Sequence, residues 1–202
     1  MTQSIRLIAF PGAPNLPVFL GIDDGHFERH GVSVELTTTP SSIFQFEQFS
    51  AGNFDIAGTA FDNVVAYREH QGAAELDGPL DVAAFMGASQ IELSLIAPAD
   101  ITSVAQLARA KLAMDAKDTG FAFVAYHMLE AAGVDRSEVE LDVVGATPQR
   151  FAAVRDGTHC ATLTIEPFTS MARAEGLNVL ATSTACFDAY QGGVFAATEA
   201  WS

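Results

Sequence analysis

The feature that most constrains this 202-residue chain is a repeated change of hydrophobic period. Apolar runs of strand length alternate with stretches whose apolar residues recur at helical spacing. Strands are predicted at 5–10, 32–36, 55–60, 80–87, 93–97, 111–116, 139–144, 160–165 and 178–181. Helices are predicted between them, at 16–25, 42–51, 61–69, 104–109, 120–132, 147–155 and 168–175. Asn15 reads as the N-cap of the first helix, with Pro17 in its first turn. Ser41 or Ser42 reads as the cap of the second, and Phe44, Phe46 and Phe49 as its core stripe. The helix at 120–132 carries the clearest pattern. Phe121, Val124, Ala125, Met128, Leu129 and Ala132 share a face, and Gly133 closes it. Residues 71–79 read as a loop.

Strand-helix alternation of this length implies an α/β fold with mostly parallel sheet. About nine strands are many for one sheet in 202 residues. The segment 87–98 reads as a crossing between two lobes, giving lobe I as 1–88 plus 186–202 and lobe II as 89–185. Apolar residues make up 49% of the chain and charged residues 17%, which excludes disorder as the general state. A net charge of −15 repels phosphate backbones and anionic headgroups, and so argues against nucleic-acid binding and membrane attachment. The longest apolar runs fall far short of a spanning helix, and residues 1–4 lack the basic flank of a secretory leader.

In open α/β sheets, ligands bind beyond the carboxyl ends of the strands, where helices begin. Free N–H groups and the helix dipole at those starts favour anionic or carbonyl-bearing groups. The positions are 11–15, 39–42, 59–62, 87–90, 115–121, 145–147 and 164–168. Asp118-Thr119-Gly120 is the sharpest of them, since glycine lets a ligand approach the backbone. The competing reading is that Asp118 or Thr119 only caps the helix.

Seven segments, in order, resemble the type 2 periplasmic binding proteins. They are FLGIDDGHFERHGVSVEL at 19–36, FSAGNFDIA at 49–57, ITSVAQL at 101–107, DTGF at 118–121, LEAAG at 129–133, GATPQR at 145–150 and RDGTHCA at 155–161. The nearest branch is the nitrate, sulfonate, taurine and thiamine-pyrimidine-precursor group of ABC-transporter substrate-binding proteins. The resemblance covers about residues 4–185. It implies a two-lobed clamshell that binds a small organic or oxyanion ligand and delivers it to an ABC-transporter permease, with no cofactor. It also implies ligand contacts at Asn15, Thr59, Asp62, Ser89, Gln90, Thr119, Gly120, Thr147 and Glu166, beside which Asp118 and the ring of Phe121 stand. The family usually continues past 192–195 with helices that return to lobe I, so the sequence reads either as a fragment or as a form with lobe I less covered. Location stays open between extracytoplasmic, as the resemblance implies, and cytoplasmic, as the absent leader suggests.

Other constellations have plainer readings. Asp23, Asp24, His26 and His30 could hold a metal by spacing, but read as a solvated helix end, so no metal site is assigned. His159 and Cys160 could be base and nucleophile, but neighbours on a strand face opposite ways. Cys160 therefore reads as structural, and a bond to Cys186 would need adjoining strands and an oxidising compartment. Asp62, Asp115, Asp118 and Glu166 at strand ends would favour a cationic ligand if several face the site. Only Arg150 stands near a helix start there, which tilts the reading away from phosphate and sulfate. Phe61, Phe121 and Phe168 follow strand ends and could stack on a flat ligand. Two further functions stay open: an enzyme on the same fold acting on a small aromatic or sulfur-containing substrate, and a cytoplasmic ligand sensor.

Overall fold

The computed structural model describes residues 2–201. Its strands are β1 (Gln3–Ala9), β2 (Val32–Thr38), β3 (Ile56–Thr59), β4 (Val82–Ser89), β5 (Ser94–Ala97), β6 (Lys111–Met114), β7 (Glu140–Val143), β8 (Ala161–Thr164), β9 (Asn178–Thr182) and β10 (Gly193–Thr198). Its α-helices are α1 (Leu16–Asp23), α2 (His26–Arg29), α3 (Ser42–Ser50), α4 (Phe61–Arg68), α5 (Gly120–Ala131), α6 (Thr147–Arg155), α7 (Phe168–Ala174) and α8 (Ser183–Cys186).

The strands build two five-stranded sheets, ordered β2-β1-β3-β10-β4 and β7-β6-β8-β5-β9. The chain divides accordingly. Unit 1 takes it up to Ser89 and again from Gln191, and unit 2 is Gln90–Tyr190. In each sheet four strands run one way. The fifth, β10 in unit 1 and β5 in unit 2, lies antiparallel to both its neighbours. The orders match position for position, so β1, β2 and β3 of unit 1 correspond to β6, β7 and β8 of unit 2. Helix α3, after the second strand, corresponds to α6.

Each element follows from its local chemistry. Ser41 starts α3, because its Oγ accepts from Phe44 N at 3.1 Å, which satisfies one of the unpaired N–H groups of the first turn. Thr119 does the same for α5, accepting from Ala122 N at 3.4 Å. Gly133 stops α5 with φ +77°, donating to Glu130 O while Val134 N donates to Leu129 O, both at 2.9 Å. This doubly bonded exit needs a left-handed residue, and glycine adopts that conformation without strain.

Unit 1 buries Ile8, Phe46, Phe49, Ala57, Val64, Tyr67, Val82, Val194 and Ala196 in one cluster between its sheet and α3 and α4. Phe46 and Tyr67 stack there with centroids 3.7 Å apart. Phe44 departs from the expected stripe and is exposed. It lies two residues from Phe46, about 200° around the helix. Unit 2 packs α5 on one face of its sheet, with Leu95, Leu112, Met114, Val124, Met128, Leu129 and Leu163 at the centre. A smaller cluster of Ile96, Phe151, Val154 and Ala172 fills the other face.

Three sequence expectations are corrected. The first helix ends at Asp23, and a separate turn of helix, α2, starts after Gly25 at φ +65°. The stretch 104–109 is a short 3-10 turn, Val104–Leu107, whose start is held by Ser103 N donating to Gln106 Oε1 at 3.0 Å. Finally, β10 is a strand that no sequence pattern announced.

Candidate functional site

In unit 1 the carboxyl ends of β1, β2, β3 and β4 share one edge of the sheet with the start of β10. The sequence-predicted residues Asn15, Thr59, Asp62 and Ser89 fall along it. Asn15 is buried and is the N-cap residue of α1, as expected, but its side chain makes no capping bond. Its Nδ2 turns back to Phe10 O at 2.7 Å and closes the loop after β1. Thr59 is buried and accepts from Asn63 Nδ2 at 3.1 Å. Asp62 Oδ1 accepts from Asn63 N at 2.9 Å, at the start of α4. Ser89 ends β4, and its carbonyl accepts from Gln191 Nε2 at 3.2 Å. Gln191 also donates to Gly193 O at 2.8 Å. It thus clips together the strand that leaves unit 1 and the strand that returns. Sequence reading missed Gln191, because a lone Gln in a loop carries no pattern. Beneath this edge Gln45, fully buried on α3, donates Nε2 to Ile8 O at 3.2 Å and to Gly58 O at 3.0 Å, bridging β1 and β3.

In unit 2 the ends of β6, β7, β8 and β9 share an edge with the start of β5. Gln90, exposed, opens this unit. Asp118 is exposed, Thr119 and Gly120 are buried, and Phe121 is half-buried at the first turn of α5. Thr119 Oγ1 accepts the cap bond from Ala122 N, which leaves its O–H able to donate elsewhere. Glu166 is exposed, precedes the cis-linked Pro167, and accepts through Oε2 from Ser170 N at 3.2 Å. Thr147, the first residue of α6, is buried and accepts from Arg150 Nη2 at 2.9 Å.

Arg150 is the least expected residue of this edge. It is the largest fully buried side chain of the protein's described residues. Its Nη1 donates to Leu163 O at 2.9 Å and lies 3.3 Å from Thr162 Oγ1. Its Cζ stands 5.9 Å from the Phe121 ring centroid. Burial pushes the guanidinium pKa down, and the charge of buried Asp115 opposes that shift. An arginine stays protonated at any ordinary pH, so a permanent cation sits inside unit 2. Its signal in the sequence was there to read. Arg150 shares a helical face with Thr147, Phe151 and Val154, all buried. The charge of buried Asp115 thus acts on Arg150.

The remaining constellations lie elsewhere. His26 faces Asp24 at 3.9 Å with both side chains exposed, and among the described residues no three His, Cys, Asp or Glu side chains gather to hold a metal. His159 joins Asp142 at 3.2 Å and Thr158 Oγ1 at 3.0 Å, at the amino edge of the unit 2 sheet, while Cys160 packs on the core. Both cysteines are free. Cys160 precedes β8 and Cys186 follows β9; β5 lies between those strands, so the adjoining strands a bond would need are not present. Phe61 is exposed at the start of α4, whereas Phe168 packs on the Phe151 cluster. Among the described residues no helix is long and apolar enough to cross a membrane.

The family model described as the NMT1-like family matches residues 2–202. The chain belongs to the NMT1-like family. Among curated proteins no sequence match is found. Solved structures resemble this NMT1-like chain closely in fold and distantly in sequence. The periplasmic nitrate-binding protein NrtA from Synechocystis PCC 6803 aligns with a TM-score of 0.85 at 14% identity, covering 99% of this chain and 56% of that one. The alkanesulfonate-binding protein SsuA from Xanthomonas axonopodis pv. citri, bound to MOPS, aligns at 0.78 and 16% identity, covering 98% and 66%. The periplasmic aliphatic sulphonate binding protein SsuA from Escherichia coli aligns at 0.71 and 16% identity, covering 100% and 67%. The fold of this NMT1-like chain is that of the periplasmic binding proteins, and the chain spans between 56% and 67% of the length of these three.

Proposed function

We propose that this chain is a solute-binding protein of ABC-type import. It captures a small organic or oxyanion ligand, of sulfonate, nitrate or pyrimidine-like chemistry. The observation that carries this reading is the connectivity of the two sheets. Both passages of the chain between units, at Ser89–Gln90 and Tyr190–Gln191, join the carboxyl edge of one sheet to the carboxyl edge of the other. Those edges hold the helix starts, where unpaired N–H groups are available to a ligand. Asn15, Thr59, Asp62 and Ser89 are the proposed contacts from unit 1. Gln90, Asp118, Thr119, Gly120, Phe121, Thr147 and Glu166 are those from unit 2. The partner is an ABC permease and the location extracytoplasmic, readings supported by the likeness to periplasmic binding proteins and to the ligand-binding component of an ABC-type import system from Staphylococcus aureus. The chain binds reversibly and performs no covalent chemistry.

The test is thermal unfolding against nitrate, bicarbonate, taurine, alkanesulfonates, aromatic sulfonates and aminopyrimidines. A true ligand at 100 times its Kd adds about 2.7 kcal/mol, which raises Tm by several degrees at this size. The expected result is one chemical class that shifts Tm and is recovered unchanged after incubation. Turnover of that ligand, or a sharp transition that no member of the panel moves, overturns the reading.

A further inference from the structure

We infer that Arg150 is the positioning residue of unit 2's binding edge: one buried guanidinium sets the relative placement of three strand-to-helix segments without touching the ligand. The inference rests on the binding function proposed above.

Five residues act on this side chain, and they come from three strand-to-helix segments of the unit. Nη2 holds Thr147 at the start of α6. Nη1 holds the carbonyl of Leu163, one residue before β8 ends, and reaches Thr162 Oγ1, which itself donates to Ala113 O on β6 at 2.7 Å. Phe121, in the first turn of α5, lies against the guanidinium, and Asp115, the first residue after β6, supplies the opposing charge. The planar fork of an arginine fixes the angle between its donors, so these anchors are held in one geometry. Ser94, Asp115, Thr147, Thr162, Thr164 and Thr169 are all buried. Register places Ser94 opposite Thr164, and Ala113 opposite Thr162, on the face that α6 and α7 cover.

Unit 1 provides the contrast within the same chain. The corresponding place, the fourth residue of α3, is Gln45, and the residue after its first strand is Phe10 rather than an acid. Gln45 ties only β1 and β3, by neutral hydrogen bonds to Ile8 O and Gly58 O. Charge at the helix position and charge at the strand end thus occur together in unit 2, and both are absent in unit 1. The opposing charge of Asp115 offsets part of the cost of burying the guanidinium.

The test uses the full chain with Arg150→Lys, which keeps the charge beside Asp115 and removes the fork. Thr162→Val is the second, milder variant, taking away one anchor and keeping the shape. Amide hydrogen exchange is followed at 115–122, 145–151 and 163–170, and affinity is measured for whichever panel member shifts the parent's Tm. The expected result is faster exchange in all three segments for both variants, with cooperative unfolding kept. Affinity falls about tenfold or more in Arg150→Lys. Faster exchange confined to 145–151, or unchanged affinity, overturns the inference. If the parent binds no panel member, the binding function fails, and the exchange pattern alone still decides whether Arg150 positions the edge.

Discussion

The two units solve one topological problem with different chemistry. Each must lock the helix after its second strand onto its third strand, just below the edge where helices begin. Unit 1 does it with the neutral amide of Gln45 beneath an apolar Phe10. Unit 2 does it with the charged fork of Arg150 beside Asp115. The difference teaches that the fold specifies a hydrogen-bonded tie at this point but leaves its charge open. A charged tie is the costlier choice, since each ion gives up its hydration. It gains a rigid, multi-pronged hold that an amide with two donors lacks.

The sharpest way to break this comparison is to remove the cation. Arg150→Met leaves Asp115 buried without its opposing charge and is expected to cost about 3–5 kcal/mol in urea unfolding. A loss below about 1 kcal/mol would mean that the charge is not held inside the unit. Transplanting unit 1's chemistry, Arg150→Gln together with Asp115→Phe, is expected to recover at least half of that loss. A double variant no more stable than Arg150→Met would separate the two positions. The matching change in unit 1, Gln45→Leu, strips two hydrogen bonds from strand carbonyls and is expected to cost about 1–3 kcal/mol. A cost above that of Arg150→Met would reverse the ranking of the two ties. Smaller again are the helix caps. Ser41→Ala in unit 1 and Thr119→Ala in unit 2 should each cost about 1 kcal/mol, Ser41 the more because its bond is the shorter of the two.

The smallest expected effect is on pH dependence, where the units converge. Each pins its sheet with an exposed cation on a carboxylate. In unit 1, Arg6 donates Nη2 to Asp55 Oδ1 at 2.7 Å and Nε to Oδ2 at 3.1 Å. In unit 2, Lys111 meets Asp142 Oδ2 at 2.6 Å, with His159 beside it. The hydrogen bonds from Arg6 hold the Asp55 carboxyl below its ordinary range, and those from Lys111 and then His159 do the same for Asp142. A depressed carboxylate stabilises the native state above its unfolded pKa, near 4. That stability is lost as pH falls through the lower native value. Asp55→Asn and Asp142→Asn should each flatten the acid limb of a stability–pH curve while leaving the slope at neutral pH unchanged. A change confined to pH 6–8 would assign the effect to another group.

Much of the fold was legible because its elements carry clean periods and punctuation. The nine strands read from 5–10 to 178–181 are all strands, with ends moved by a few residues, and Gly133 stops α5 as its position announced. What escaped reading did so for physical reasons. The strand Gly193–Thr198 opens with glycine and contains two alanines, so no alternation of apolar and polar residues marks it. It forms because Val194 and Ala196 fill the core beside Ile8, a contact across most of the chain. At the candidate site, sequence located the strand ends but not which side chains were already engaged. Asn15 stands at the cap position that was read, but its side chain clasps the loop instead of bonding the helix. Arg150 looked like a lone cation near a helix start and is the interior of unit 2.

The position of β10 has a further consequence for how the protein is made. Among the described residues, strand β4 has β10 as its only sheet neighbour, and β10 is synthesised after the whole of unit 2. On the ribosome, Gln90–Tyr190 is an uninterrupted piece of polypeptide that can condense as it emerges. The earlier-made segment must wait with a three-stranded sheet and a dangling apolar strand, Val82–Ser89, in which Phe85 and Met86 stay exposed even at the end. Birth order and completion order are therefore reversed: the half translated first is the half finished last. A nascent chain halted before residue 193 would present that unpaired strand to chaperones and to its neighbours.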